Sequence, residues 1–179
     1  NIFSVLQIQS KEVLICRMIA DLLNPRGQHG AGAEYLKIFL RDCLGMEKMD
    51  TKLADQAIVT AEYAIDDERR IDIVIEMGSY FLPIEVKIYA ADQKSQCFDY
   101  YQYAKRRDAQ AKVYYLTLDG HRPGKDSTSS GSQSVPEEDI VCLSFREHIL
   151  NWLKACKSCE NTGMVPILEQ FIQNIEQIS

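Results

Sequence analysis

The stretch from Arg70 to Lys87 leaves the chain few choices. Ile71, Ile73 and Ile75 alternate with Asp72, Val74 and Glu76. Met77-Gly78-Ser79 then turns the chain, and Tyr80 to Tyr89 sets Ile84, Val86 and Ile88 against Glu85 and Lys87. A period of two marks β-strands, and so short a turn joins antiparallel neighbours. Ala57 to Ile65, with Ile58, Val59, Thr60 and Tyr63, supplies a third strand before the turn at Asp66-Asp67-Glu68. Side chains two residues apart emerge on the same side of a strand, so Glu85 and Lys87 share a face and Asp72 projects opposite the isoleucines of its own strand. The pairing predicts that two carboxylates and one ammonium converge on a single patch.

Helical periodicity surrounds these strands. Leu14, Met18 and Leu22, widened by Ile15, Ile19 and Leu23, predict a helix from Ser10, a plausible N-cap, to Leu23, stopped by Asn24-Pro25-Arg26-Gly27. A second helix is expected from about Ala33 to Leu44, a third from about Ala91 to Arg106, and two more over 146–156 and 165–178. Further strands are expected over Lys112–Leu118 and Ile140–Phe145, and the Gly-, Ser- and charge-rich segment 120–139 between them reads as a long mobile loop. The order α-α-β-β-β-α-β-β-α-α describes one α/β domain over residues 1–179, built on a mixed sheet with helices on it.

Asp72, Glu85 and Lys87 form a set suited to phosphodiester hydrolysis. Paired carboxylates offer hard oxygen ligands to Mg²⁺, an ion that keeps several of its waters, and the Val86 carbonyl is a candidate further ligand. A lysine beside them can orient or deprotonate water and balance charge on a phosphate. The plainer reading of the same residues is a solvated strand face with a surface ion pair worth roughly 0–1 kcal/mol.

Arg70-Ile71-Asp72-Ile73-Val74-Ile75-Glu76, followed by Pro83-Ile84-Glu85-Val86-Lys87, resembles the PD-(D/E)XK nuclease superfamily. Ile19 to Pro25, Gln28-His29-Gly30, Lys87 to Ala90, Asp92-Gln93 and Gln96-x-x-x-Tyr100 are similar to a bacterial branch of it. The resemblance runs from about Asn1 to the final helix. It implies a restriction-endonuclease-like αβββαβ core with extra C-terminal helices, Asp72 and Glu85 as metal ligands, and Lys87 as catalytic lysine. It also implies Mg²⁺ as cofactor, with Mn²⁺ as a substitute. Gln96 and Tyr100 match a Q-x-x-x-Y pattern of some branches, which makes Gln96 an assisting residue and Tyr100 a substrate contact. Ile71 stands where the formal motif has Pro. Some members place an acid of the first helix at the metal, a role open to Glu12, for which the alternative is a first-turn glutamate favoured by the helix dipole. Glu62 could complete the acidic cluster or pair with a surface lysine, the latter being favoured.

The formal net charge of −6 argues against a protein that coats nucleic acid through its overall field. Local positive charge at Lys105-Arg106-Arg107 marks Lys105 and Arg106 as candidate phosphate contacts. The cysteines sit in apolar contexts, and a lone Cys156-x-x-Cys159 has no second ligand pair for zinc, so free thiols in a reducing cytoplasm are expected. His29 is expected to cap the next helix rather than reach phosphate. No signal peptide is visible in the residues given, and no membrane-spanning run is expected; P-loop, G-x-S-x-G and G-x-G-x-x-G patterns do not occur in them. The expectation is a metal-dependent nuclease acting on DNA rather than RNA. The alternative is a catalytically inactive module of the same fold that binds nucleic acid or a protein. A scaffold that forms a homo-oligomer through its C-terminal helices is a third reading, and it predicts a large apolar surface there and no acidic pocket.

Overall fold

The computed structural model describes residues 2–179, with side chains from Ser10 onward except that of Thr162. Asn1 lies outside the described residues. Helix α1 spans Ile2–Leu23, α2 Glu34–Asp42 and α3 Thr51–Asp55. Strands β1 (Ile58–Ala64), β2 (Arg70–Met77) and β3 (Tyr80–Lys87) follow, then α4 (Gln96–Arg107) and β4 (Val113–Thr117). A small hairpin, β5 (Ser129–Ser130) and β6 (Gln133–Ser134), precedes β7 (Ile140–Ser144), α5 (Leu150–Lys157) and α6 (Val165–Ile178).

Strands β1, β2, β3, β4 and β7 form one sheet in that order. The first three are antiparallel, joined by short turns, while β4 and β7 run parallel to β3. The parallel step needs a crossover, which α4 supplies. On one face Ile73, Ile75, Ile84, Val86 and Leu116 pack against α1, α2, α5 and α6, with Phe39, Trp152 and Phe171 fully enclosed. Trp152 Nε1 donates to the Tyr35 carbonyl at 2.8 Å, so its buried polar group is satisfied. On the other face Val74, Phe81, Val113 and Tyr115 pack under α4. The C-terminal helices turn Trp152, Leu153, Leu168, Phe171 and Ile175 into this core rather than outward.

Several expectations are corrected. Ser10 is no N-cap: the helix begins at Ile2, because no Gly or Pro precedes Ser10 to stop it. The short α3 was not foreseen, although Asp50, which accepts from Lys52 N at 2.9 Å, is a standard cap. The segment 120–139, expected to be a mobile loop, contains the β5–β6 hairpin and is docked on α4. Ser127 and Val135 are buried, Ser127 O accepts from Phe98 N, and Ser127 Oγ accepts from Cys97 N. No helix among the described residues is long and apolar enough to cross a membrane.

Candidate active site

The site forms where the sheet opens. The β2–β3 ladder runs from Met77–Tyr80 to Ile73–Ile84 and stops. From Ile84 to Lys87, β3 is paired through its other edge to β4. One step past the last antiparallel pair, Asp72 stands beside Glu85. Asp72 Oδ2 accepts from Val86 N at 2.7 Å, satisfying a backbone donor that the ended ladder leaves without a strand partner. The regular alternation also fails here, since Ile73 and Ile75 pack toward α1 but Ile71 joins Val74 under α4.

Glu85 and Lys87 are not a wet face. β3 is the central strand, covered on both sides, and only 3% of Glu85 and 9% of Lys87 is exposed. Lys87 Nζ lies 3.6 Å from Glu85 Oε1 and donates to the Ala91 carbonyl at 3.3 Å. Burial raises the Glu85 carboxyl well above the usual range, the adjoining Asp72 raises it further, and Lys87 opposes the rise. Burial also raises Asp72, against the pull of the adjoining Glu85 carboxyl, of the Val86 N–H and of the Lys87 charge. Glu85 Oε2 is buried with no N–H or O–H donor bonded to it. Such a pair, Glu85 buried and Asp72 half-buried beside it, is neutralised by a shared proton or by a cation. Two carboxylates, with Val86 at the cavity wall and room for water, suit an ion that keeps part of its hydration shell. Among the described residues no group of three or more His, Cys, Asp or Glu is placed to hold a metal ion.

Glu12 comes to the site from α1, deep inside the helix rather than in its first turn, so the dipole explanation does not apply. Its Oε1 accepts from Ile88, Tyr89 and Ala90 N at 2.7, 2.6 and 3.1 Å. Glu12 therefore fixes the turn after β3, and with it the Ala91 carbonyl that receives Lys87. Gln96 opens α4. Tyr100 donates its only hydroxyl proton to the Arg70 carbonyl at 2.6 Å, so it accepts from Gln96 Nε2 at 3.2 Å. That orients the amide with Oε1 on the other side, buried and without a partner.

A cavity of about 480 Å³ joins these groups: Glu12, Asp72, Glu85, Val86, Lys87 and Gln96 line it, with Cys16, Arg17, Glu62, Arg70 and Gln93. Burial raises the Cys16 thiol, and the charges of Asp72, Glu85, Glu12 and Glu62 add to it. Arg17, Arg70 and Gln93 join the predicted residues there: Arg70 shares the parity of Asp72, and Arg17 lies five residues, about 1.4 helical turns, beyond Glu12. Glu62 pairs with Arg17, not with a lysine. Three candidates are not brought to the cavity as contacts. Tyr100, 1% exposed, sits behind it as a support. Lys105 and Arg106 lie nine and ten residues along α4 from Gln96, about 14–15 Å at 1.5 Å per residue. Lys105 donates to the Ala109 carbonyl and Arg106 lies over the Tyr103 ring. His29 is structural: its Nδ1 accepts from Ala31 N, so Nε2 carries the proton donated to the Asn24 carbonyl at 2.8 Å. Gly27 beside it admits no side chain, since a Cβ would come within 2.3 Å of the Asp21 carbonyl.

The family model described as the PD-(D/E)XK nuclease superfamily matches residues 1–173 of the 179. No curated protein and no solved structure matches the chain. The match spans every strand of the sheet and the α1 and α4 residues that close the cavity. The chain belongs to the PD-(D/E)XK nuclease superfamily.

Proposed function

We infer that this chain is a divalent-cation-dependent nuclease that hydrolyses phosphodiester bonds, with DNA as the preferred substrate. The observation that carries the reading is the meeting of Asp72, Glu85 and Lys87 where the β2–β3 ladder ends, beside a buried Glu85 oxygen that lacks a donor. The preference for DNA rests on the family alone, because no element that reads bases is evident.

Asp72, Glu85 and the Val86 carbonyl would hold Mg²⁺, or Mn²⁺ in its place. When bound, the cation polarises the phosphate and lowers the pKa of water. The chain's own residues do the remaining work. Lys87, held between Glu85 and the Ala91 carbonyl, places a positive charge where negative charge grows on the phosphate, and can orient the attacking water. Gln96 Oε1, whose orientation Tyr100 fixes, is left as an acceptor at the cavity wall that a water or the substrate would satisfy. Glu12 keeps the turn after β3 in place and so preserves the position of Lys87. Six free cysteines support work in a reducing compartment such as the cytoplasm.

The test is a substrate panel of linear, circular and single-stranded DNA and RNA, each with Mg²⁺, Mn²⁺ or chelator, beside Lys87→Ala. Cation-dependent cleavage lost in the variant supports the reading; cleavage unaffected by chelator or by the variant refutes it. That no group of three or more His, Cys, Asp or Glu among the described residues is placed to hold a metal ion favours the second reading, an inactive module that binds nucleic acid or a protein. That reading predicts no heat of Mg²⁺ or Mn²⁺ binding sensitive to Asp72→Asn.

A further inference from the structure

We propose that Arg17 is a substrate-phosphate contact of this site, held ready at the cavity mouth by an exchangeable ion pair with Glu62. The proposal rests on the nuclease reading and adds a residue to it.

Arg17 Nη2 donates to Glu62 Oε2 at 3.2 Å, linking α1 to β1, and both residues line the cavity that holds Asp72, Glu85 and Lys87. The pair is open to solvent, with 59% of the Arg17 side chain and 46% of the Glu62 side chain exposed. An exposed pair of this kind is weak, and a guanidinium forks onto a phosphate at least as well as onto a carboxylate. A phosphodiester can therefore take the place of Glu62 at little cost.

The backbone supports a dedicated role for Glu62. Its φ is +55°, a left-handed conformation in the middle of a strand. The flanking pairs Ala61–Ile73 and Tyr63–Ile71 hold their register, so no residue has been inserted, and Glu62 stands across from Asp72. Strain of this type in a residue other than glycine persists where surroundings enforce it, and it collects at functional sites.

The acid cluster gives the arrangement its purpose. Glu12, Glu62, Asp72 and Glu85 all line one cavity, and Glu12 and Glu62 stay acidic toward a phosphodiester when a cation or proton neutralises the other two. Lys87 is already engaged by Glu85 and the Ala91 carbonyl. The cations predicted for phosphate, Lys105 and Arg106, lie at the far end of α4. Two arginines line the cavity, the exposed Arg70 on β2 and Arg17 on the helix that also carries Glu12, and Arg17 is the one held by an acid of the cavity wall.

The two halves of the pair then act with opposite signs, which an ion pair serving only the fold does not do. The experiment titrates short fluorescein-labelled strands, single and duplex, DNA and RNA, with Ca²⁺ in place of Mg²⁺, over a series of salt concentrations. Arg17→Ala is expected to weaken binding about tenfold and to reduce the salt slope by about one. Glu62→Gln is expected to tighten binding severalfold, because it releases Arg17. Thermal melts of both variants check that they fold. If both variants shift the dissociation constant in the same direction, or neither shifts it, the exchange is overturned while the nuclease reading stands. A wild-type protein that binds no strand in any condition overturns both.

Discussion

Asp72 and Val86 are joined across the opening of the sheet: Asp72 Oδ2 takes the Val86 N–H at 2.7 Å, at the point where the two strands cease to pair. One carboxylate thus both ends a ladder and faces the cavity. Asparagine retains an acceptor for Val86 but loses the charge, whereas alanine loses both. Asp72→Asn is expected to abolish divalent-cation binding with little loss of stability. Asp72→Ala is expected to cost in addition about 1–3 kcal/mol from the stranded backbone donor. Calorimetric titration with Mn²⁺ and chemical denaturation of the two variants separate these effects.

The raised carboxyls of Glu85 and Asp72 make a pH prediction with a definite sign. A carboxyl whose value rises on folding favours the folded state at low pH. That contribution is complete below the ordinary carboxylate range and is lost as pH climbs through the raised folded values. In chelator, Glu85→Gln is therefore expected to gain thermal stability over the parent as pH rises from about 4, the ordinary carboxylate range, toward neutrality. Saturating divalent cation should narrow the gap. Melting curves in chelator across that range check it. A variant that is uniformly less stable contradicts the account of the buried pair.

Much of this is legible in the sequence alone. The two-residue alternation of Ile73, Ile75, Ile84 and Val86 fixes which side Glu85 and Lys87 take, and the Gly78 turn makes the strands neighbours. Burial was not legible, because alternation describes a half-wet strand equally well. The enclosure of Glu85 depends on β4 and α4 arriving from later in the chain. The hold of Glu12 on Ile88, Tyr89 and Ala90 joins segments far apart in sequence and leaves no local pattern. The run Lys105-Arg106-Arg107 lies at the end of α4 away from the cavity, because a charge run says nothing about which end of a helix meets the site. Local patterns reported periodicity well, and contacts between distant segments decided which residues shared a cavity.

The left-handed Glu62 gives a stability test independent of activity. Glycine adopts a φ of +55° without penalty, whereas alanine keeps the strain. Glu62→Gly is expected to be about 1 kcal/mol more stable than Glu62→Ala, the reverse of the usual order in a strand. Denaturant unfolding of the pair measures it. Equal stabilities, or the alanine variant ahead, would remove the strain argument.

Tyr100 predicts a separation between support and contact. Tyr100→Phe removes the hydroxyl that fixes the Gln96 amide and leaves the Arg70 carbonyl without its donor. The variant is expected to fold, to lose about 1–3 kcal/mol of stability, and to turn over about tenfold more slowly with KM nearly unchanged. A substrate-binding tyrosine predicts the opposite, a raised KM with turnover retained.

The most direct test is single-turnover cleavage of a labelled DNA strand by wild type, Glu85→Gln and Lys87→Ala, with Mn²⁺ and with chelator, alongside circular dichroism of each protein. The account predicts cation-dependent cleavage by the wild type and a loss of about a thousandfold or more in each variant, with the fold intact. A folded Glu85→Gln protein that cuts as fast as its parent would contradict it.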